Sequence, residues 1–319
     1  MRSSSPAKLG VGRMNSVGFI RSLTVRLVHR WEPERIFVNL TVYLDESGTH
    51  GSSVQTMIGG YLGHARDWDR FEKQWARMLK DFEIPYFHAH EAYKRTGVCK
   101  GWAKGKSNNL FKAAERISNR FSLFGLTVVL PNDEYEQHYK IVGKRPKGTA
   151  IPDSKYGLCF RIAMSVIGSL LEQKFGKKEI TLNVVLEAGG PNSGDAERIF
   201  HLMKGDKSLE YFRRILGTIT FVEKDECFET QSADGLVYTA YGLEQMGEPP
   251  VRIAHAPETA WVESKKVAAT QVKEGRKVSP VFRLEFNGEQ LKELQTHLFL
   301  KNPLPIFNFA SEPKGAGNA

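Results

Sequence analysis

The sequence predicts an α/β domain whose mixed sheet opens with an antiparallel hairpin. Three observations carry this. Apolar, β-branched runs of strand length alternate with longer segments of helical periodicity. The first two runs, IFVNLTVYLDESG (36–48) and TMIGGYLG (56–63), are joined by a short Gly/Ser connection. Such a link suits a hairpin and is too short for a parallel crossover. Finally, the runs stop abruptly, at an acidic pair and Gly48, at Pro131, and at Glu187 before paired glycines.

The remaining elements follow in order. Trp68, Phe71, Trp75 and Met78/Leu79 recur at helical spacing, predicting a helix over 67–81 with Asp67 as a cap. FHAHEAY (87–93) reads as a short extended piece, and KRTGVCKGWAKGK (94–106) as a basic loop. A helix opened by Ser107 runs to 121, and LFGLTVVLP (123–131) is a strand. Residues 132–153 form a polar connection, and 154–174 a mostly apolar, hence buried, helix. ITLNVVLEAGG (180–190) is the clearest internal strand. Helix 194–204, strand 216–224 and helix 230–246 come next. The pattern weakens after Gly247: 251–288 carries no clear periodicity, 288–298 reads as a short amphipathic helix, and the tail from Pro303 is rich in Pro and Gly.

With 319 residues, 41% hydrophobic and 25% charged, the chain has ordinary globular composition. Disorder, collagen and coiled coil are excluded for its bulk. Cys99, Cys159 and Cys227 are odd in number, far apart and without a CxxC, which argues against a disulfide framework or a cysteine zinc site. A reducing cytoplasm is therefore the expected compartment. No apolar run approaches 18 residues, so no membrane span is expected. Residues 1–35 hold seven Lys/Arg against Glu32 and Glu34, more than half of the net charge of +9. That segment reads as a basic, disordered extension; a transit peptide, a nucleic-acid arm or a start at Met14 are its other readings. The organisation expected is this extension, a domain over 36–248, and a C-terminal extension over 249–319 that packs on the domain before a disordered tail.

Carboxylates fall where buried elements end. Asp45 and Glu46 close the first strand, Glu187 closes ITLNVVLE, and Asp234 lies in the otherwise apolar TQSADGLVYTAY. A carboxylate in such surroundings is costly unless paired or bound to a metal. Two of them ~4 Å apart repel by about 4 kcal/mol at an effective dielectric near 20. A hard divalent cation cancels that cost, and oxygen ligands select Mg²⁺ or Mn²⁺ over zinc. Two such ions can bracket a scissile phosphate. Strand alternation lets only one of Asp45 and Glu46 face a common pocket, and Asp45 is the one favoured. Each acid also has a plain structural use: an Asx turn with Gly48 for Asp45, a helix cap for Glu187, a Lys or Arg partner for Asp234.

Two glycine-rich stretches lack the phosphate-loop pattern. GWAKGKS (101–107) has one residue too few between its glycines, and GGPNSG (189–194) is followed by Asp195 and Ala196 instead of lysine and a hydroxyl. His88 and His90, two apart beside Glu91, lack a third metal-ligand spacing; His88 is the candidate for catalysis or phosphate contact. Lys100, Lys104 and Lys106 interleaved with Trp102 suit a nucleic-acid backbone with base stacking, although a solvated loop is the commoner meaning.

YLDESGTHGSS, the following GGY strand, FHAHE, VVLEAGGPNSGDAERIF and ETQSADGLVYTAY together resemble the DUF3800 family of prokaryotic proteins, over roughly residues 38–245. The late motif here reads Thr230-Gln231-Ser232-Ala233-Asp234, where the family usually has leucine before glutamine, and Gly190 stands where relatives often carry histidine. The resemblance implies an RNase H-like fold and metal-dependent nuclease chemistry. In that frame Asp45, Glu187 and Asp234 hold Mg²⁺ or Mn²⁺. Glu46 and Asp195 are further candidate ligands or supporting groups, and His88 matches the family's FH motif. The substrate expected is DNA or RNA. The rival expectation is a non-catalytic RNase H-like module that binds nucleic acid or a protein.

Overall fold

The computed structural model describes residues 38–48, 53–140, 152–176, 178–188, 193–246, 281–286 and 288–299. The expectations for 1–35, for 249–280 and for the tail from Pro303 lie outside these residues. All described residues belong to one unit, Phe37–Ala319.

Six strands form a mixed sheet: β1 (Val38–Ser47), β2 (Gln55–His64), β3 (Phe124–Pro131), β4 (Ile180–Glu187), β5 (Leu216–Val222) and β6 (Val281–Glu285). Their order is β5-β4-β1-β2-β3-β6. The opening hairpin is real: β1 pairs antiparallel with β2, and β2 antiparallel with β3. On its other side β1 pairs parallel with β4, and β4 parallel with β5. The sixth strand, from a stretch with no readable pattern, joins parallel to β3.

Helices cover both faces. α5 (Lys155–Phe175) packs on β2 and β3, with α6 (Ser193–Gly205) and α7 (Glu210–Ile215) beside it. α4 (Asn132–His138) and α9 (Gly288–Phe299) pack together and send Tyr135, Tyr139, Leu291 and Leu294 into the same core. The even-numbered Leu40, Val42 and Leu44 of β1 and Leu182, Val184 and Leu186 of β4 point into that core. Strand alternation therefore turns Tyr43, Asp45, Val185 and Glu187 to the opposite face. There lie α1 (Ala65–Phe82), α2 (Ala89–Lys94), α3 (Lys104–Phe121) and α8 (Phe228–Met246). Tyr43 meets Trp68 of α1 edge to face, at 5.0 Å between centroids. Val237 and Ala240 of α8 pack on Met57 and Val129.

Several local readings need correction. FHAHEAY is not extended throughout, because Ala89–Lys94 form a helix. That helix stops at Arg95, in the left-handed conformation at φ 57°. The basic loop holds a 3₁₀ turn at Gly97–Cys99, and α3 begins three residues before Ser107. The Ser107 hydroxyl donates to the Ala92 carbonyl and so ties α3 to α2 instead of capping a helix. Asp67 sits inside the first turn of α1, whose N-cap is His64. The polar connection after β3 begins with helix α4, and α7 is an added short helix. Among the described residues no helix is long and apolar enough to cross a membrane.

Gly48 closes β1 at φ +73°, and a Cβ there would fall 2.0 Å from the Gln55 carbonyl oxygen. Left-handed backbone alone costs a side-chain-bearing residue about 1–2 kcal/mol. Gly48→Ala should therefore lower the urea midpoint by at least that equivalent with an unchanged m-value. An unaltered midpoint would mean that the chain leaves β1 by another path.

Candidate functional site

In an open α/β sheet, ligands bind beyond the carboxyl ends of strands where the strand order reverses. Here β1, β2 and β3 build outward to one side, and the chain then returns to lay β4 on the other side of β1. The reversal lies between β1 and β4. Their last matched pair is Leu44↔Leu186, and one residue further on stand Asp45 and Glu187. Both belong to the face that α8 covers, on strands that run about 4.8 Å apart. Asp45 is only 5% exposed. Its Oδ1 accepts the Glu46 amide at 2.8 Å.

α8 runs along this end of β1. Val237 lies over Gly59, the residue paired with Asp45: a Cβ on Gly59 would be 3.0 Å from Val237 Cγ2. Tyr241, one turn on, approaches Gly48. Asp234 sits one turn before Val237 and is 8% exposed. Its Oδ2 accepts the Ala89 amide at 2.7 Å. Gln231, fully buried three residues earlier, accepts the Phe87 amide and Trp75 Nε1, both at 3.0 Å. These bonds dock the FHAHE segment on α8 and bring His88 beside Asp234 along the backbone. His88 caps α2, where its carbonyl accepts the Ala92 amide. Its Nδ1 lies 3.5 Å from Glu91 Oε1. Glu91 is itself held by the Val98 amide and the Tyr86 hydroxyl.

The other candidates stand elsewhere. Glu46 alternates to the α5 face, where its charge and that of Asp45 add to the burial that pushes the Tyr156 hydroxyl well above its usual range. Asp195 belongs to an ion-pair network with Asp153, Arg161 and Arg198 at the start of α5 and α6. Its Oδ2 also accepts the amide and hydroxyl of Ser154. Both carboxylate oxygens thereby have partners within the chain. Lys100 and Lys104 are exposed. Trp102 is only half-exposed: it stacks on Phe82, at 6.0 Å between centroids, and Lys106 Nζ lies 4.1 Å over its ring. Its aromatic surface is thus used within the chain.

The donor set at the β1–β4 end is all carboxylate, which suits a hard divalent cation. Among the described residues no three His, Cys, Asp or Glu side chains stand close enough together to hold a metal. The residues following β1 and β4 (49–52 and 189–192) are outside the described set. Sequence reasoning misses Gln231 and Glu91; the signal for Gln231 is its place three residues before Asp234, on a neighbouring part of one helix. No family model matches the sequence, and no curated protein matches it.

Gln231→Leu would leave two buried donors without this acceptor and should cost about 2–5 kcal/mol, read from the denaturant midpoint; a loss below measurement error would remove Gln231 as the docking residue. Burial raises the pKa of Asp195, but hydrogen bonds from Ser154 and Arg198 outweigh it and leave the carboxyl below its ordinary value. A lowered folded pKa stabilises above the unfolded pKa, and that stability disappears as pH falls through the folded value. Asp195→Asn should therefore flatten the acid limb of stability below about pH 4; a limb as steep as wild type would refute this role.

Proposed function

We propose that this chain is a metal-dependent phosphodiester hydrolase of RNase H-like type acting on nucleic acid. The observation that carries the reading is the shared placement of Asp45 and Glu187. They end neighbouring strands at the reversal of the sheet, on the face crossed by the helix that carries Asp234. The sequence resemblance supports the same three acids, on the same kinds of elements.

In this reading Asp45 and Glu187 would supply the carboxylates for Mg²⁺ or Mn²⁺, and Asp234 of α8 is the third acid that the resemblance implies. The bound ion would polarise the phosphate and lower the pKa of a water. The chain's own part is positional. The Ala89 amide fixes one oxygen of Asp234. Glu91 Oε1 stands 3.5 Å from His88 Nδ1, and His88 is the group assigned to contact substrate phosphate. The α2–α3 segment, 87–121, carries eight Lys/Arg against Glu91 and Glu115, a charge balance that attracts a polyanion.

A second reading, a nucleic-acid-binding module without catalysis, is favoured by one specific observation: Asp234 already has a structural task at Ala89. The purified chain incubated with Mn²⁺ and single- or double-stranded DNA and RNA separates the two. Hydrolysis should appear and fall at least about 100-fold in Asp45→Asn and Asp234→Asn, the scale of losing a group that acts on the transition state. Mn²⁺ should also raise the wild-type melting temperature and leave that of Asp45→Asn unmoved. Turnover that survives both substitutions refutes the assignment; binding without turnover in the wild type selects the second reading.

A further inference from the structure

Beside Asp234 lies a group of rings that the proposed chemistry does not use. Tyr238 follows Asp234 by one helical turn, on the same flank of α8. His90 follows Ala89, whose amide bonds to Asp234. The two rings meet edge to face, with centroids 6.1 Å apart and planes at 77°. Tyr93 joins at 5.8 Å from Tyr238, and Lys94 Nζ lies 5.6 Å from the Tyr93 ring centre. His90 is exposed, while Tyr93 and Tyr238 are half-buried. Burial, the neighbouring Tyr93 and the charge of Asp234 push the Tyr238 hydroxyl up to about 12, so this ring stays a neutral phenol within reach of the acid's field.

Aromatic rings this close to the candidate acids, and only partly covered, are suited to stack on nucleobases. In an edge-to-face pair the ring that offers its edge keeps its own faces for another partner. The charge around the cluster selects the partner's class. Lys94, Arg95 and Lys100 of the same segment are exposed and complement a phosphate backbone. A base inside a duplex has both faces stacked and its edge paired, so it reaches such rings only when unpaired.

We propose that His90 and Tyr238, extended by Tyr93, form a stacking platform for an unpaired nucleobase, so that the substrate presented to the β1–β4 site is single-stranded nucleic acid. This rests on the nucleic-acid reading above and adds its substrate form. The platform sets strand preference, and the carboxylates set turnover.

The test measures binding apart from turnover. Fluorescence anisotropy in EDTA, with the full chain, compares labelled oligo(dT) and oligo(U) with the same strands annealed to their complements. Wild type should bind the single strands at least about tenfold more tightly. His90→Ala and Tyr238→Ala should each weaken single-strand binding about 5- to 150-fold, the range for losing one stacking ring, with little change for duplex. Tyr238→Phe, which keeps the ring, should restore binding. His90 is exposed, so its variant tests the proposal even if Tyr238→Ala fails to fold. Equal affinity for single strand and duplex, or wild-type affinity in His90→Ala, overturns the platform. Failure of the hydrolase reading registers separately, as absence of Mn²⁺-dependent cleavage by the wild-type chain.

Discussion

Two side chains of α8 hold the candidate site together. Gln231 and Asp234 accept the backbone amides of Phe87 and Ala89, residues 144 and 145 positions away in sequence. The amides are buried, so any slide of α8 along the FHAHE segment would leave donors without acceptors, at about 1–3 kcal/mol each. Trp75 Nε1 bonds the same Gln231 oxygen and ties α1 into the junction. An aromatic chain then locks the surroundings: Trp68 against Phe71, Phe71 stacked on Trp75, and Trp75 edge to face with Phe87. The positions of His88, His90 and Asp234 relative to one another thus follow from one polar junction within an apolar wall.

How much of this is legible in the sequence depends on length and period. The long periodic elements read true to within a few residues, because burial on one face leaves a repeating mark over several turns or rungs. The two-residue period of β1 is enough to separate Asp45 from Glu46, and the two acids do lie on opposite faces. What escapes is short or tied by distant partners. Ala89–Lys94 is a six-residue helix, below the length at which a helical period differs from a strand. Its stability comes from tertiary bonds to Asp234 and to Ser107, and these have no local signature. β6 spans five residues at the sheet edge, where a parallel partner supplies its pairing. The Asp195 ion pair does have a local signature, since Arg198 follows at the helical i+3 position.

The two groups of acids are assembled in different ways. Asp153 is fully buried, yet Arg161 and Arg198 meet both of its oxygens, and Asp195 shares Arg198. Such a network balances its own charge and serves to pin the start of α5 against α6; removing one partner would strand the others at several kcal/mol. Asp45 and Glu187, by contrast, are placed by strand register, each one residue beyond the last matched pair of neighbouring strands. Attraction between charges gathers the network, whereas the backbone ladder alone sets the β1–β4 pair on one face.

The two faces of the sheet differ in the same sense. Against the α5 face the core is almost wholly apolar, and the helix itself is buried nearly all round. On the other face α8 buries Glu229, Thr230, Gln231, Ser232, Asp234 and Thr239. An apolar helix of equal volume would pack there at lower cost, because every buried polar atom must find a partner. Part of the excess serves docking: Ser232 bonds Ser118 of α3, and Gln231 bonds α1 and Phe87. The rest is met locally: the Thr230 and Thr239 hydroxyls donate to the Cys227 and Gly235 carbonyls, and Glu229 accepts from the Cys227 thiol. The apolar α5 face fixes the core, while the polarity of α8 fixes the register of its neighbours: Gln231 holds α1 and Phe87, Asp234 holds α2, and Ser232 holds α3.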